Sequence, residues 1–245
     1  MKTFFFAFGF LCAACLGAET PDSLASIYQI STMNALHAGV FDAEYTYQDV
    51  MQKGSLGLGV IDGLKGEMVA VDGHFYHIET SGKAGKINPT DTCPYARVVQ
   101  FNPENHFIMR KEKGFSHITK RLLQQFPSHN NFYALKIQGV FPRVKIRVLR
   151  EQKPPFNTLE EAKKDQNEFT LYDVKGTVVG FFTPRYLAPT FDNQFDFGFI
   201  SSDGKTGGHI LDFSIENVNV LIQPIFRTEL VLPSHMTFQR ASISE

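Results

Sequence analysis

Tryptophan is absent from the 245 residues, and cysteine is scarce, with three in all. Two of them, Cys12 and Cys15, fall in the first twenty positions. If that segment is removed on export, Cys93 stands alone and no internal disulfide can form. The fold then rests on its core, which a chain of this length can bury in quantity. Cys93 precedes Pro94 with no base nearby, and reads as a small buried thiol. No apolar run approaches the roughly 20 residues needed to span a bilayer, so no membrane-spanning helix is expected. Neither sign of charge dominates: 24 Lys and Arg face 25 Asp and Glu, and the formal net charge is −1. With no long basic run, nucleic acid is not an expected partner.

Phenylalanine is plentiful, 24 residues against 8 tyrosines, and carries most of the aromatic packing. The chain opens with Lys2, a short apolar run from Phe4 to Leu11, and small residues from Cys12 to Ala18. This is the pattern of a secretory signal peptide over residues 1–18, cleaved after Gly17 or Ala18. It implies an exported protein, periplasmic or secreted. A lipoprotein cleavage at Cys15 fits less well, because Cys12 stands where an aliphatic residue is expected.

Strand-like segments dominate the rest. Leu56 to Val60, Glu67 to Val71 and His74 to Glu79 mix β-branched, aromatic and glycine residues, with Asp72-Gly73 as a hairpin turn. Arg97 to Phe101 is another strand. Phe132 to Leu149 reads as two strands broken near Gly139 to Pro142, and Phe169 to Phe182 as a pair turning at Lys175-Gly176. His209 to Ile215 and Val218 to Phe226 read as a hairpin around Glu216-Asn217. Helices are few: Tyr47 to Lys53 behind Thr46, Ser116 to Phe126 with Ser116 as its cap and Pro127 as its stop, and Thr158 to Lys164 behind a capping box of Thr158 and Glu161. The expected class is α+β, with two packed, mostly antiparallel or mixed sheet-based halves and few short helices over 19–245, the halves dividing near 102–131.

Five blocks in order carry a resemblance. They are Ser31-Thr32-Met33-Asn34-Ala35-Leu36 with Gly39-Val40-Phe41-Asp42; Gly54 to Gly59 with Gly66-Glu67-Met68-Val69 and Asp72-Gly73; Arg147 to Pro154; Gly176 to Phe181 with Pro184 and Tyr186; and Gly207-Gly208-His209-Ile210-Leu211-Asp212-Phe213, closing with Leu232-Pro233. Together they cover nearly the whole mature chain, which resembles the alpha-acetolactate decarboxylases. The resemblance implies a carbon–carbon lyase that turns 2-acetolactate into acetoin and carbon dioxide. Its substrate is a small 2-hydroxy-3-keto acid, its cofactor a zinc ion acting as Lewis acid, and its assembly a homodimer. By the same likeness Glu67 and Arg147 match the catalytic carboxylate and guanidinium, and His209 matches the third zinc ligand.

The chain departs from the family where the metal is held. The family's His-x-His pair falls on Asp196-Phe197-Gly198. Asp196 can still ligate zinc through oxygen, whereas Gly198 cannot. Val60 stands where the family has a pocket threonine, and the family's C-terminal carboxylate is expected to be missing. Rescue of the metal site would need Glu67, His74 or His77. The two histidines lie three apart and would point to opposite faces of a strand. Three functions remain open on the residues: a decarboxylase with an altered, even non-functional, zinc site; a non-catalytic relative that binds a small carboxylate or serves as a structural module; or a different, metal-independent reaction in the same pocket using Glu67 and Arg147. The plainer readings are a solvated Arg147, a turn-exposed Glu67 and a hairpin histidine at 209.

Overall fold

The structure is a computed structural model that describes residues 24–103, 105–187 and 194–243. The expected leader and the last two residues lie outside that range. Two sheets organise the chain. The first has seven strands in the order β14-β1-β8-β3-β4-β5-β6. These are β1 (Ser26–Ile30), β3 (Leu56–Val60), β4 (Glu67–Val71), β5 (His74–Ile78), β6 (Ala84–Lys86), β8 (Tyr95–Val99) and β14 (Arg227–Val231). The second runs β10-β11-β12-β13-β9, built from β9 (Asn105–Lys113), β10 (Phe132–Val148), β11 (Asn167–Phe182), β12 (Phe195–Ser201) and β13 (Gly207–Ile225). Because β10 also pairs with β13, four of these strands close into a ring. Every pairing within these sheets is antiparallel except that of β1 with β14. A two-stranded pair, β2 (Tyr45–Thr46) and β7 (Thr92–Cys93), completes the strands. The helices are short: α1 (Met33–His37), α2 (Tyr47–Met51), α3 (Phe115–Leu123), α4 (Leu159–Lys163) and α5 (Met236–Arg240). This is the α+β, two-sheet architecture expected, with none of these helices long and apolar enough to cross a membrane.

Alternation along the strands distributes the core. On β12, Phe195, Phe197 and Phe199 enter one cluster with Tyr133, Phe141, Phe182 and Phe213. Ile200, on the opposite face, joins Leu58, Val69, Val148, Val179 and Phe181 in the layer between the two sheets. Phe197 sits at the centre of the first cluster, its ring 5.5 Å from those of Phe115 and Phe195 and 5.6 Å from that of Phe213. Gly180 is its cross-strand partner, and a Cβ there would lie 2.4 Å from the Phe197 ring, so the glycine makes room for the aromatic. Cys93 is buried, and burial pushes its thiol up to about 12, so it packs as an inert side chain.

Three expected hairpins are single long strands. β10, β11 and β13 run 17, 16 and 19 residues without reversing. Gly139, Lys175-Gly176 and Glu216-Asn217 carry turn propensity, yet each is held in register by a neighbour on the ring: Gly139 lies opposite Gly176 and Val218, and Asn217 opposite Val140. Cross-strand pairing outweighs local propensity there. Pro142 drops out of the register, and near it Asp173 takes φ +47°, so the strands bend instead of folding back. At α3, Gly114 rather than Ser116 occupies the N-cap, and the Asp212 carboxylate accepts the Phe115 N–H at 2.7 Å. β1, β2, β6, β7, β9, β12 and β14 are not among the segments expected as strands.

Phe197→Ala is expected to lower unfolding free energy by about 3–5 kcal/mol, read in urea denaturation as a lower midpoint with an unchanged slope.

Candidate functional site

A cavity of about 680 Å³ opens between the two sheets, with α3 and α4 among its walls. Its described lining includes the acidic and basic side chains Glu67, Arg147, Lys163, Asp196 and His209. Each comes from a different element. Glu67 opens β4 and Arg147 lies near the end of β10. Register then sets His209 directly opposite both Arg147 and Gly198. Gly207 and Gly208 allow this by close approach, from within β13 rather than from a turn. Added Cβ atoms would fall 2.5 Å from the Phe199 carbonyl oxygen and 2.8 Å from that of Arg147.

Glu67 and Arg147 form a buried ion pair across the sheets, with Nη1 donating to Oε1 at 2.9 Å. Their side chains are 9% and 11% exposed, so neither is turn-exposed or solvated. Burial raises the Glu67 carboxyl above its ordinary range; the Arg147 charge pulls it back and Asp196 adds to the rise, for a net upward shift. Burial also holds the His209 imidazole well below its ordinary value, and Arg147 and Lys163 push the same way. Asp196 Oδ1 lies 3.4 Å from His209 Nδ1. That is longer than a charge-assisted hydrogen bond of about 2.7–2.9 Å, and too weak to offset burial and two cations. Water reaches about a third of the imidazole surface, but the ring packs deep in the cavity, so its charged form still loses solvation. His209 is therefore a neutral base next to a carboxylate.

The donor set does not meet the requirements of a catalytic zinc site, which takes three protein ligands. His209 and Asp196 are two; Gly198 offers none, and the Glu67 carboxylate is held by Arg147. Among the described residues, no three His, Cys, Asp or Glu side chains gather where they could hold a metal ion. An added Cβ at Gly198 would point toward Leu58 Cδ2 at 2.4 Å and Val69 Cγ2 at 3.0 Å, so apolar side chains fill that direction. His74 and His77 do not line the cavity; their ring nitrogens contact the carbonyl oxygens of Asp72 and Lys65. Val60 lines it, and its carbonyl accepts from Tyr47 Oη at 2.9 Å.

The structure thus gathers Glu67, Arg147, Asp196 and His209 in one cavity. It adds groups that the sequence did not single out: Lys163 and Gln166 at the α4 end, Phe115 and Thr119 on α3. For Lys163 a signal existed. Leu159 and Ala162 are the buried residues of α4, and position 163 follows at helical spacing on the same side.

A cavity between two sheets, floored by a buried carboxylate–guanidinium pair and a neutral imidazole, is the site of a small-molecule enzyme fold. The family model described as alpha-acetolactate decarboxylase matches residues 27–245. The chain is 34% identical over 228 residues to the alpha-acetolactate decarboxylase of Brevibacillus brevis, covering 93% of this chain and 80% of that protein. It is 36% identical over 221 residues to that of Methanosarcina mazei, covering 89% and 76%. The crystal structure of the Bacillus subtilis alpha-acetolactate decarboxylase superposes with a TM-score of 0.87 at 31% identity, over 90% of this chain and 94% of that one. This chain belongs to the alpha-acetolactate decarboxylase family.

Removing one member of the buried pair strands the other. Arg147→Met is expected to destabilise by about 3–5 kcal/mol, and adding Glu67→Gln to recover most of that loss, both read by chemical denaturation. His209 gives a pH signature. Its folded value is depressed, so near its ordinary value of about 6.5 the unfolded chain binds a proton that the folded chain refuses. The contribution of His209 is whole above that pH and is lost as pH falls below it. Unfolding free energies measured from pH 8 to pH 5 are expected to decline less steeply in His209→Gln than in the parent.

Proposed function

We propose that this chain binds a small 2-hydroxy-3-oxo acid, 2-acetolactate by analogy with the names of its relatives, and decarboxylates it to acetoin with its own side chains. The buried Glu67–Arg147 pair beside neutral His209 carries this reading. The substrate is a β-keto acid. When the C1–C2 bond breaks, its electron pair moves toward the ketone and leaves an enediolate as carbon dioxide departs. One proton then adds at C2, so the acid anion plus one proton becomes acetoin plus carbon dioxide.

Two demands follow. Negative charge developing on the ketone oxygen needs a fixed donor in a site shielded from water, and the guanidinium N–H groups of Arg147 not directed at Glu67 suit it. The proton at C2 comes from solvent and passes through Glu67, whose raised pKa lets the carboxylate take it up and hand it on beside the substrate. His209, uncharged, accepts or relays a proton without adding a third cation to the floor. The two-donor pair of His209 and Asp196 supplies no step here.

A second reading, a carboxylate-binding relative without turnover, is favoured by Gly198, where the family's imidazole is gone and Leu58 and Val69 face the gap.

Acetoin release from racemic 2-acetolactate, corrected for spontaneous loss of carbon dioxide, separates the readings. Chelator-treated protein is expected to keep its activity, with Glu67→Gln lowering kcat about a hundredfold or more. Added zinc is expected to leave the melting temperature unmoved. Activity lost to chelator and regained with zinc would sink the metal-free reading; no acetoin under either condition would establish the binding-only one.

A further inference from the structure

The cavity holds a second cation whose place in the fold gives it a separate task. Arg147 is committed: its guanidinium closes on Glu67 inside the protein, and drawing it away would leave a buried carboxylate without its partner. Lys163 is held differently. It ends α4 and lines the cavity, and its ammonium meets Glu160 at 2.8 Å. That bridge spans one helical turn. Lys163 is 31% exposed and Glu160 is 67% exposed, so the pair lies at the rim and contributes little. Glu160 also has the His37 ring as a neighbour, Nδ1 to Oε1 at 3.7 Å.

Rotamer freedom at Lys163 is set by its helix. Thr158 caps α4 by accepting the Glu161 N–H, while Leu159 and Ala162 anchor the helix in a cluster with Leu36, Phe41 and Val60. The backbone at 163 is fixed at the cavity edge, and the long side chain is the part free to turn inward.

We propose that Lys163 is the residue that receives the carboxylate of the bound acid, exchanging Glu160 for the ligand, while Arg147 stays on Glu67. The inference rests on the preceding reading that a small hydroxy acid enters this cavity. The exchange trades a solvated bridge at the rim for an ion pair in a more enclosed place, where the same charges interact more strongly. An ion pair to the carboxylate stabilises the bound acid and not the departing carbon dioxide, so its loss shows in binding.

The probe is 2-hydroxy-2-methylbutanoate, which has the carboxylate and tertiary hydroxyl but no ketone to drive decarboxylation. Its uncharged amide is the control. By titration calorimetry on the full chain, Lys163→Met is expected to weaken the acid about tenfold and to leave the amide within twofold. Lys163→Arg is expected to restore most of the acid's affinity, and Glu160→Gln to tighten it two- to threefold, because the competing carboxylate is gone. Acid affinity unchanged in Lys163→Met, with its melting temperature intact, would overturn the assignment while leaving the pocket reading in place. A parent protein that binds neither acid nor amide would overturn both.

Discussion

The buried Glu67–Arg147 ion pair is the polar contact between the two sheets on which the cavity depends. Glu67 belongs to the seven-stranded sheet and Arg147 to the ring of long strands, and they meet at 2.9 Å beside the apolar layer between them. Burying two charges costs several kcal/mol each, so the contact persists only where geometry is good and each group has its partner. It makes the cavity floor polar at one spot and sets the electrostatics of its neighbours. Burial pushes the Glu67 carboxyl up and the Arg147 charge pulls it back; Arg147 also adds to the burial that lowers the His209 imidazole.

Alternation on β12 keeps the cavity wall and the aromatic core apart. In a two-sheet fold each strand contributes alternate side chains to the intervening layer, so Asp196 and Gly198, two apart on β12, share the face that looks toward β3 and β4. A Cβ on Gly198 would meet Leu58 and Val69. On the other face of β12, Phe195, Phe197 and Phe199 pack in their aromatic cluster. Residues on the cavity face can therefore vary without disturbing the core behind them, which suits a chain with a TM-score of 0.87 to a solved relative at 31% identity.

Local chemistry made part of the architecture readable. The strand-favouring residues of Leu56 to Val60 and Glu67 to Val71, the Asp72-Gly73 turn and the cap of Thr158 on the Glu161 N–H each act over a few residues, and each appears where its residues stand. Failures came where distant strands override neighbours. Gly139, Gly176 and Asn217 all look like turns in isolation, yet each is opposed by strand residues from elsewhere and stays extended. The cap of α3 was missed for a related reason: its acceptor is Asp212, far along the chain.

The residues by themselves pointed to the class, the family and four side chains, Glu67, Arg147, Asp196 and His209, because motif order is a local property that survives in one dimension. Tertiary structure alone decided that Glu67 closes on Arg147, that the partly exposed His209 imidazole is held well below its ordinary pKa, and that Lys163 reaches the cavity edge from a separate helix. Those facts depend on burial and on distances between strands far apart in sequence. Solvation and Coulomb energy follow distance in space, and sequence spacing does not encode it.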